Sequence, residues 1–326
     1  MDAVGYALAA GATGYPVPEA WTTKTALPAT RYRHTQSTLA DGTVLVVAGF
    51  VSGSASANVQ SYDPVTNAWT TKTSTPTTRY YSSQSTLGDG TVLVVAGFVS
   101  GIASTNVQSY DPSTNAWTTK TALPLNARSD QAQSTLDDGT ALVTGGRLGS
   151  SEKDFVQSYD PTTNAWTTKT AMPTQRYAHA QSTLADGTVL VTGGQVGSTG
   201  VLSADVQSYD PVANSWTTKT ALPATRNYHT QSTLADGTAL VTGGDVGGAT
   251  SADVQSYDPS TNAWTTKTAL SDIRNQHGQS TLNDGTALVT GGLVSATGSA
   301  DVQLFQPAST AFTAGRAALL GYLAAN

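Results

Sequence analysis

The sequence contains no cysteine, and glutamate stands at only two of its 326 positions, Glu19 and Glu152. Without cysteine there is no disulfide framework, no thiolate metal site and no cysteine nucleophile. With glutamate nearly missing, a pair of catalytic carboxylates would have to be built from aspartates, and none of those is singled out by its position. Charged residues amount to 12% and aromatics to 7%. There is no run of Lys or Arg to track a phosphate backbone, so no nucleic-acid partner is expected. No apolar stretch is long enough for a membrane span, and Met1–Gly14 carries Asp2 and no basic residue, unlike a secretory leader. The expectation is a soluble protein, cytoplasmic or part of an extracellular or virion assembly, without membrane insertion.

Glycine, serine, threonine and alanine are abundant instead, a composition that suits short strands and tight turns. Tryptophan recurs at 21, 69, 117, 166, 216 and 264, with gaps of 48, 48, 49, 50 and 48. Around each lies one phrase, such as Val59-Gln60-Ser61-Tyr62-Asp63-Pro64 followed by Asn67-Ala68-Trp69-Thr70-Thr71-Lys72. A second phrase runs Gln84-Ser85-Thr86-Leu87, then Asp89-Gly90-Thr91-Val92-Leu93-Val94-Val95-Ala96-Gly97. Each unit divides into four strands. The first, Thr35 to Leu39, is polar; Asp41-Gly42 is a hairpin turn; the second, Thr43 to Ala48, is apolar on both faces. The third, Val59 to Tyr62, ends at the Asp63-Pro64 turn, and the fourth carries Trp69 and Lys72. Four-stranded units that cannot bury an apolar face alone predict a radial array, with the polar strand lining a wet channel. The lysine of each outer strand protects that edge from pairing.

The Gly145-Gly146, Gly193-Gly194, Gly243-Gly244 and Gly291-Gly292 pairs, the Tyr-Asp-Pro element and the trailing Asn-x-Trp resemble kelch repeats. Two copies depart, with Ala48-Gly49 and Ala96-Gly97 in place of the glycine pair. The resemblance implies an all-β, six-bladed propeller of four-stranded antiparallel blades over residues 15–312, flanked by apolar tails at 1–14 and 313–326. The N-terminal strand with Trp21 is expected to close the ring by completing the last blade, in competition with a strand around Phe312. The two tails share a Gly-Tyr motif (Gly5-Tyr6, Gly321-Tyr322) and belong to no blade.

The copies differ mainly in two loops, one entering the first strand and one joining the second to the third. Because strands alternate in direction, both loops open on one face, which the resemblance implies is the ligand face. Six arginines recur in the entering loop: Arg31, Arg79, Arg128, Arg176, Arg226 and Arg274. Near a channel mouth they would hold a planar anion; alternatively each bonds backbone carbonyls. His34, His179, His229 and His277 follow three residues later, without local metal-ligand spacing, so hydrogen bonding is expected of them and no metal. Beside them stand Tyr32, Tyr80, Tyr81, Tyr177, Asn227, Tyr228, Asn275, Gln276 and, in the third copy, Asp130. Tyrosines in such loops suit a peptide or carbohydrate surface.

No Ser–His–Asp grouping or Gly-x-Ser-x-Gly elbow is present. Copper-radical oxidases on kelch-like propellers need the cysteine that is missing, and no Ser-x-Asp box of the sialidase type occurs. The expected function is a non-catalytic interaction scaffold or a structural subunit of an assembly, without a cofactor, with a protein partner or a second copy of the chain. A lectin-like module is the alternative. A sugar-metabolising enzyme would require polar side chains unique to one sector of the loop face.

Overall fold

The computed structural model describes residues 17–197 and 200–308. It contains six four-stranded antiparallel sheets, one per tryptophan unit, and no helix among the described residues. In blade 1 the strands are Thr35–Thr38, Val44–Val47, Val59–Asp63 and Ala68–Lys72, paired in that order. The second strand is buried throughout, as its two-sided apolar pattern predicts. The innermost strands neighbour one another around the whole circle, and the strand of blade 6 returns to that of blade 1.

Closure falls to the N-terminal strand Ala20–Thr23, which lies on the last third-type strand Val302–Gln306 with Trp21 opposite Phe305. Phe312 and both apolar tails fall outside the described residues.

Three layers of contact join each blade to the one before it. Between the sheets lie six apolar clusters; one joins Leu288 and Val302 of blade 6 to Val44, Val46 and Tyr62 of blade 1. At the periphery each tryptophan indole donates to a threonine carbonyl of the preceding blade, as Trp69 Nε1 does to Thr25 and Trp21 Nε1 does to Thr268. Around the channel the inner-strand glutamines do the same: Gln36 Nε2 reaches Leu288 O at 2.9 Å and Gln84 Nε2 reaches Leu45 O at 3.0 Å. The polar inner strand thus lines a channel and also cross-links the ring. Buried amides are costly unless bonded, so these residues specify one packing.

The two faces differ. One carries short Asp-Gly and Asp-Pro turns, tied by bonds such as Thr43 N to Asp41 Oδ1. On the other, the two variable loops pair with each other in small sheets that the sequence reading did not anticipate; Arg31–Tyr32, Phe50–Val51 and Ser54–Ala55 form one.

Candidate functional site

The site is built on the segment between each repeated arginine and the inner strand. All six arginines are buried, from 0% to 2% exposed, rather than displayed at the channel mouth. Arg31 Nη1 donates to Ala48 O at 2.8 Å and its Nη2 to Gln60 Oε1 at 3.0 Å. Arg176, Arg226 and Arg274 reach the equivalent glycine carbonyls, while Arg79 and Arg128 bond the glutamines Gln108 and Gln157. Each guanidinium clamps the variable loop of its own blade. Its backbone carbonyl meanwhile accepts from the preceding blade, as Arg79 O does from Gly49 N. The anion ring is therefore replaced by six internal clamps, with burial lowering the guanidinium pKa to about 10 at Arg31, Arg79, Arg128, Arg176 and Arg226.

The four histidines are also buried. Each Nε2 meets a threonine hydroxyl at the end of the preceding blade's second strand: His34 with Thr290, His179 with Thr144, His229 with Thr192 and His277 with Thr242. Burial holds His34 and His179 neutral, with pKa values near 3. Among the described residues no group of three or more His, Cys, Asp or Glu could hold a metal ion.

Between clamp and histidine sits one residue per blade with left-handed backbone: Arg33, Tyr81, Asp130, Ala178, Tyr228 and Gln276, with φ from 50° to 57°. Non-glycine residues rarely adopt this conformation, and it collects at functional sites. Each of the six donates its N–H to the carbonyl of its counterpart one blade back, and Arg33 N closes the circle on Gln276 O at 2.9 Å. A belt of six peptide groups thus encircles the axis on the loop face. The residues at the belt are Arg, Tyr, Asp, Ala, Tyr and Gln, whereas the clamps two positions earlier are all Arg. An invariant frame therefore holds a nearly non-repeating set of side chains.

These side chains line an axial cavity of about 170 Å³. Arg33 places its guanidinium carbon 4.4 Å from the centroid of the Tyr81 ring and donates from Nε to Gln276 Oε1 at 2.7 Å. Tyr81 stacks on Tyr228 with centroids 6.0 Å apart. Next to Tyr81 in the belt, Asp130 Oδ2 accepts from Arg147 Nε at 2.9 Å and from Ser129 Oγ at 2.8 Å. Its Oδ1 is buried with no partner. Burial raises the Asp130 pKa, and the Arg147 charge opposes the rise. Burial also raises Tyr228 to about 12, and Tyr81 further.

A second feature runs outward from the belt over blades 1 and 2. Tyr32 stacks on Phe50 at 5.1 Å, Phe50 meets Tyr80 at 4.6 Å, and Tyr80 stacks on Phe98 at 5.0 Å. All four rings are half-buried and contiguous with Tyr81. Tyr177 stands apart, beneath Arg147 at 4.9 Å, and Asn275 is buried against Asp245. The structure thus brings together Tyr32, Tyr80, Tyr81, Asp130, Tyr228 and Gln276 of the sequence-derived candidates, and the four histidines also line the axial cavity. Arg33, Arg147, Phe50 and Phe98 were not among them. Their signal was available: Arg33 and Arg147 are two of four basic residues outside the repeated slots.

A kelch-repeat domain model describing KLHDC2, KLHL20 and DRC7 matches residues 131–317, and the kelch motif matches residues 31–76 and 79–124. The chain belongs to the kelch-repeat family. Among solved structures, that of YjhT superposes with a TM-score of 0.72 at 16% identity, covering 88% of this chain and 99% of YjhT. At that identity the likeness shows the shared fold. No curated protein matches the sequence of this kelch propeller.

Proposed function

We propose that this kelch propeller is a non-catalytic interaction scaffold that holds a protein partner on the loop face. The observation that carries the reading is the half-buried aromatic ladder Tyr32–Phe50–Tyr80–Phe98, joined at the belt by Tyr81 and Arg33. Aromatics and arginine are the residue types enriched at interface hot spots, and a rigid ladder is already ordered before a partner arrives. Val65 and Val212, the most exposed large apolar side chains among the described residues, each sit in an Asp-Pro turn on the opposite face.

The absence of catalysis is part of the proposal. The four imidazoles are buried with Nε2 bonded to threonines, so none is placed as an exposed general base. Asp130 is the one carboxylate lining the axial cavity, where glycoside hydrolysis calls for two. The polar cluster unique to one sector, which an enzyme would require, does exist in Asp130, Arg147 and Tyr228. Its composition suits holding a ligand rather than breaking a bond.

The test is affinity capture from the native source with the wild-type chain and with Tyr80→Arg/Phe98→Arg. The reading expects a discrete partner recovered by the wild type and lost with the double variant. Equal recovery by both would refute it.

A further inference from the structure

We infer that the cavity inside the peptide belt is a binding site for a neutral, hydroxyl-rich ring of the size of one terminal sugar residue. Its volume of about 170 Å³ is smaller than the ~300–1,000 Å³ of ordinary ligand pockets, so it admits the end of a ligand and no more. One wall offers an acceptor: Asp130 Oδ1 is buried, unpartnered and part of the lining residue's carboxylate. Two belt positions away, on the other side of Tyr81, lies a donor: Arg33, whose Nε is fixed by Gln276 while the guanidinium lies over Tyr81. Tyr81 lies between them, and Tyr228 reaches its ring from the far side of the belt, so the pair supplies apolar surface with polar tips.

A hydroxyl group can donate to Asp130 and accept from Arg33, and the C–H face of a sugar ring can lie against tyrosine. An ammonium entering the cavity would meet Arg33 and stand close to Arg147, and a carboxylate, though drawn to Arg33, would set its second oxygen against the Asp130 acceptor. The Asp130 charge is already matched by Arg147 at 2.9 Å, which leaves a hydrogen-bond acceptor for the ligand rather than an ionic partner. The remaining belt position is Ala178, the smallest of the six, and the space it leaves belongs to the same cavity.

The inference rests on the loop face being the binding face. Free sugar is titrated with no partner protein present, so failure here leaves the partner reading intact, and failure of that reading leaves this one standing. The experiment is ligand-observed NMR and calorimetry of the full chain with glucose, galactose, mannose and N-acetylglucosamine, alongside acetate and methylammonium. Saturable binding of at least one neutral sugar is expected. Asp130→Asn should weaken it by about tenfold or more, the loss of one buried charged hydrogen bond. Asp130 also holds Arg147, so a second variant is needed: Ala178→Tyr fills the cavity with a residue that two sister positions already carry. It should abolish binding with an unchanged melting temperature. No saturable sugar binding, binding of acetate or methylammonium in place of sugar, or sugar binding that survives both variants would overturn the proposal.

Discussion

Gly145 lies so close to the His179 imidazole that a Cβ added to it would stand 2.7 Å from Cε1. The approach recurs, less tightly, at 3.0 Å for Gly193 with His229, 2.9 Å for Gly243 with His277 and 3.2 Å for Gly291 with His34. Where alanine replaces that glycine, at Ala48 and Ala96, the next blade carries Ser82 and Gln131 in place of histidine, and the preceding threonine is Val47 or Val95. Thr-Gly and His are therefore one exchangeable unit, with Val-Ala and a non-aromatic residue as the other. Gly145→Ala alone should destabilise by about 1–3 kcal/mol through overpacking. In the background of Thr144→Val/His179→Ser the same change should cost less, the contact with Arg176 O at 2.5 Å remaining, because Ala48 already adopts φ 59° in such a setting. A double-mutant cycle read by thermal unfolding measures the coupling, and additive effects would contradict it.

The buried histidines set the acid response. In the unfolded chain each titrates near 6.5. Folded, His34 and His179 stay neutral until about pH 3, and His229 and His277 are likewise held well below their ordinary value by burial. Between pH 6.5 and about 3 the unfolded state binds more protons, so stability rises with pH across that window and is lost as pH falls. Melting temperatures from pH 7.5 to 4.5 should decline with an uptake approaching four protons. Replacing the four by glutamine, the residue at position 131, should flatten the profile.

Arg176 is fully buried, with Nη1 bonded to Gly193 O at 2.8 Å. Arg176→Lys keeps the charge but cannot reproduce the planar fork. We expect a loss of roughly 3 kcal/mol from Arg176→Ala and most of it from Arg176→Lys, because carbonyls of the loop lose charged donors. Urea unfolding checks this; a neutral lysine variant would show that the clamp is not needed.

Ring closure rests on Trp21, which packs 5.1 Å from Phe305 and donates to Thr268 O. Trp21→Ala should lower stability by about 3 kcal/mol and raise hydrogen exchange first in Val302–Gln306, the strand it covers. Uniform change around the ring would argue that closure lies elsewhere.

Much of the fold was legible because each tryptophan phrase repeats the same burial problem, and six copies admit few arrangements. The strand of Val44–Val47, apolar at every position, followed from pattern alone, and closure by Trp21 was the favoured of two readings, with Phe312 as its rival. The belt did not. Arg33, Tyr81 and Gln276 carry no residue preference for left-handed backbone; tertiary contact between blades imposes it. Of the two readings of the arginines, the bonding of backbone carbonyls holds, because recurrence in every repeat is what a buried clamp produces. The exchange of Thr-Gly-His for Val-Ala-Ser was present in the sequence, but only the distance between Gly145 and His179 gives it meaning.

The most direct measurement is hydrogen–deuterium exchange of the chain with and without its captured partner. Protection should concentrate at the belt and ladder, in residues 31–34, 50–51, 79–82, 98–99 and 128–131, leaving the opposite turns at 63–67 and 111–115 unchanged. Protection confined to those turns, with the loop face unaffected, would contradict the account.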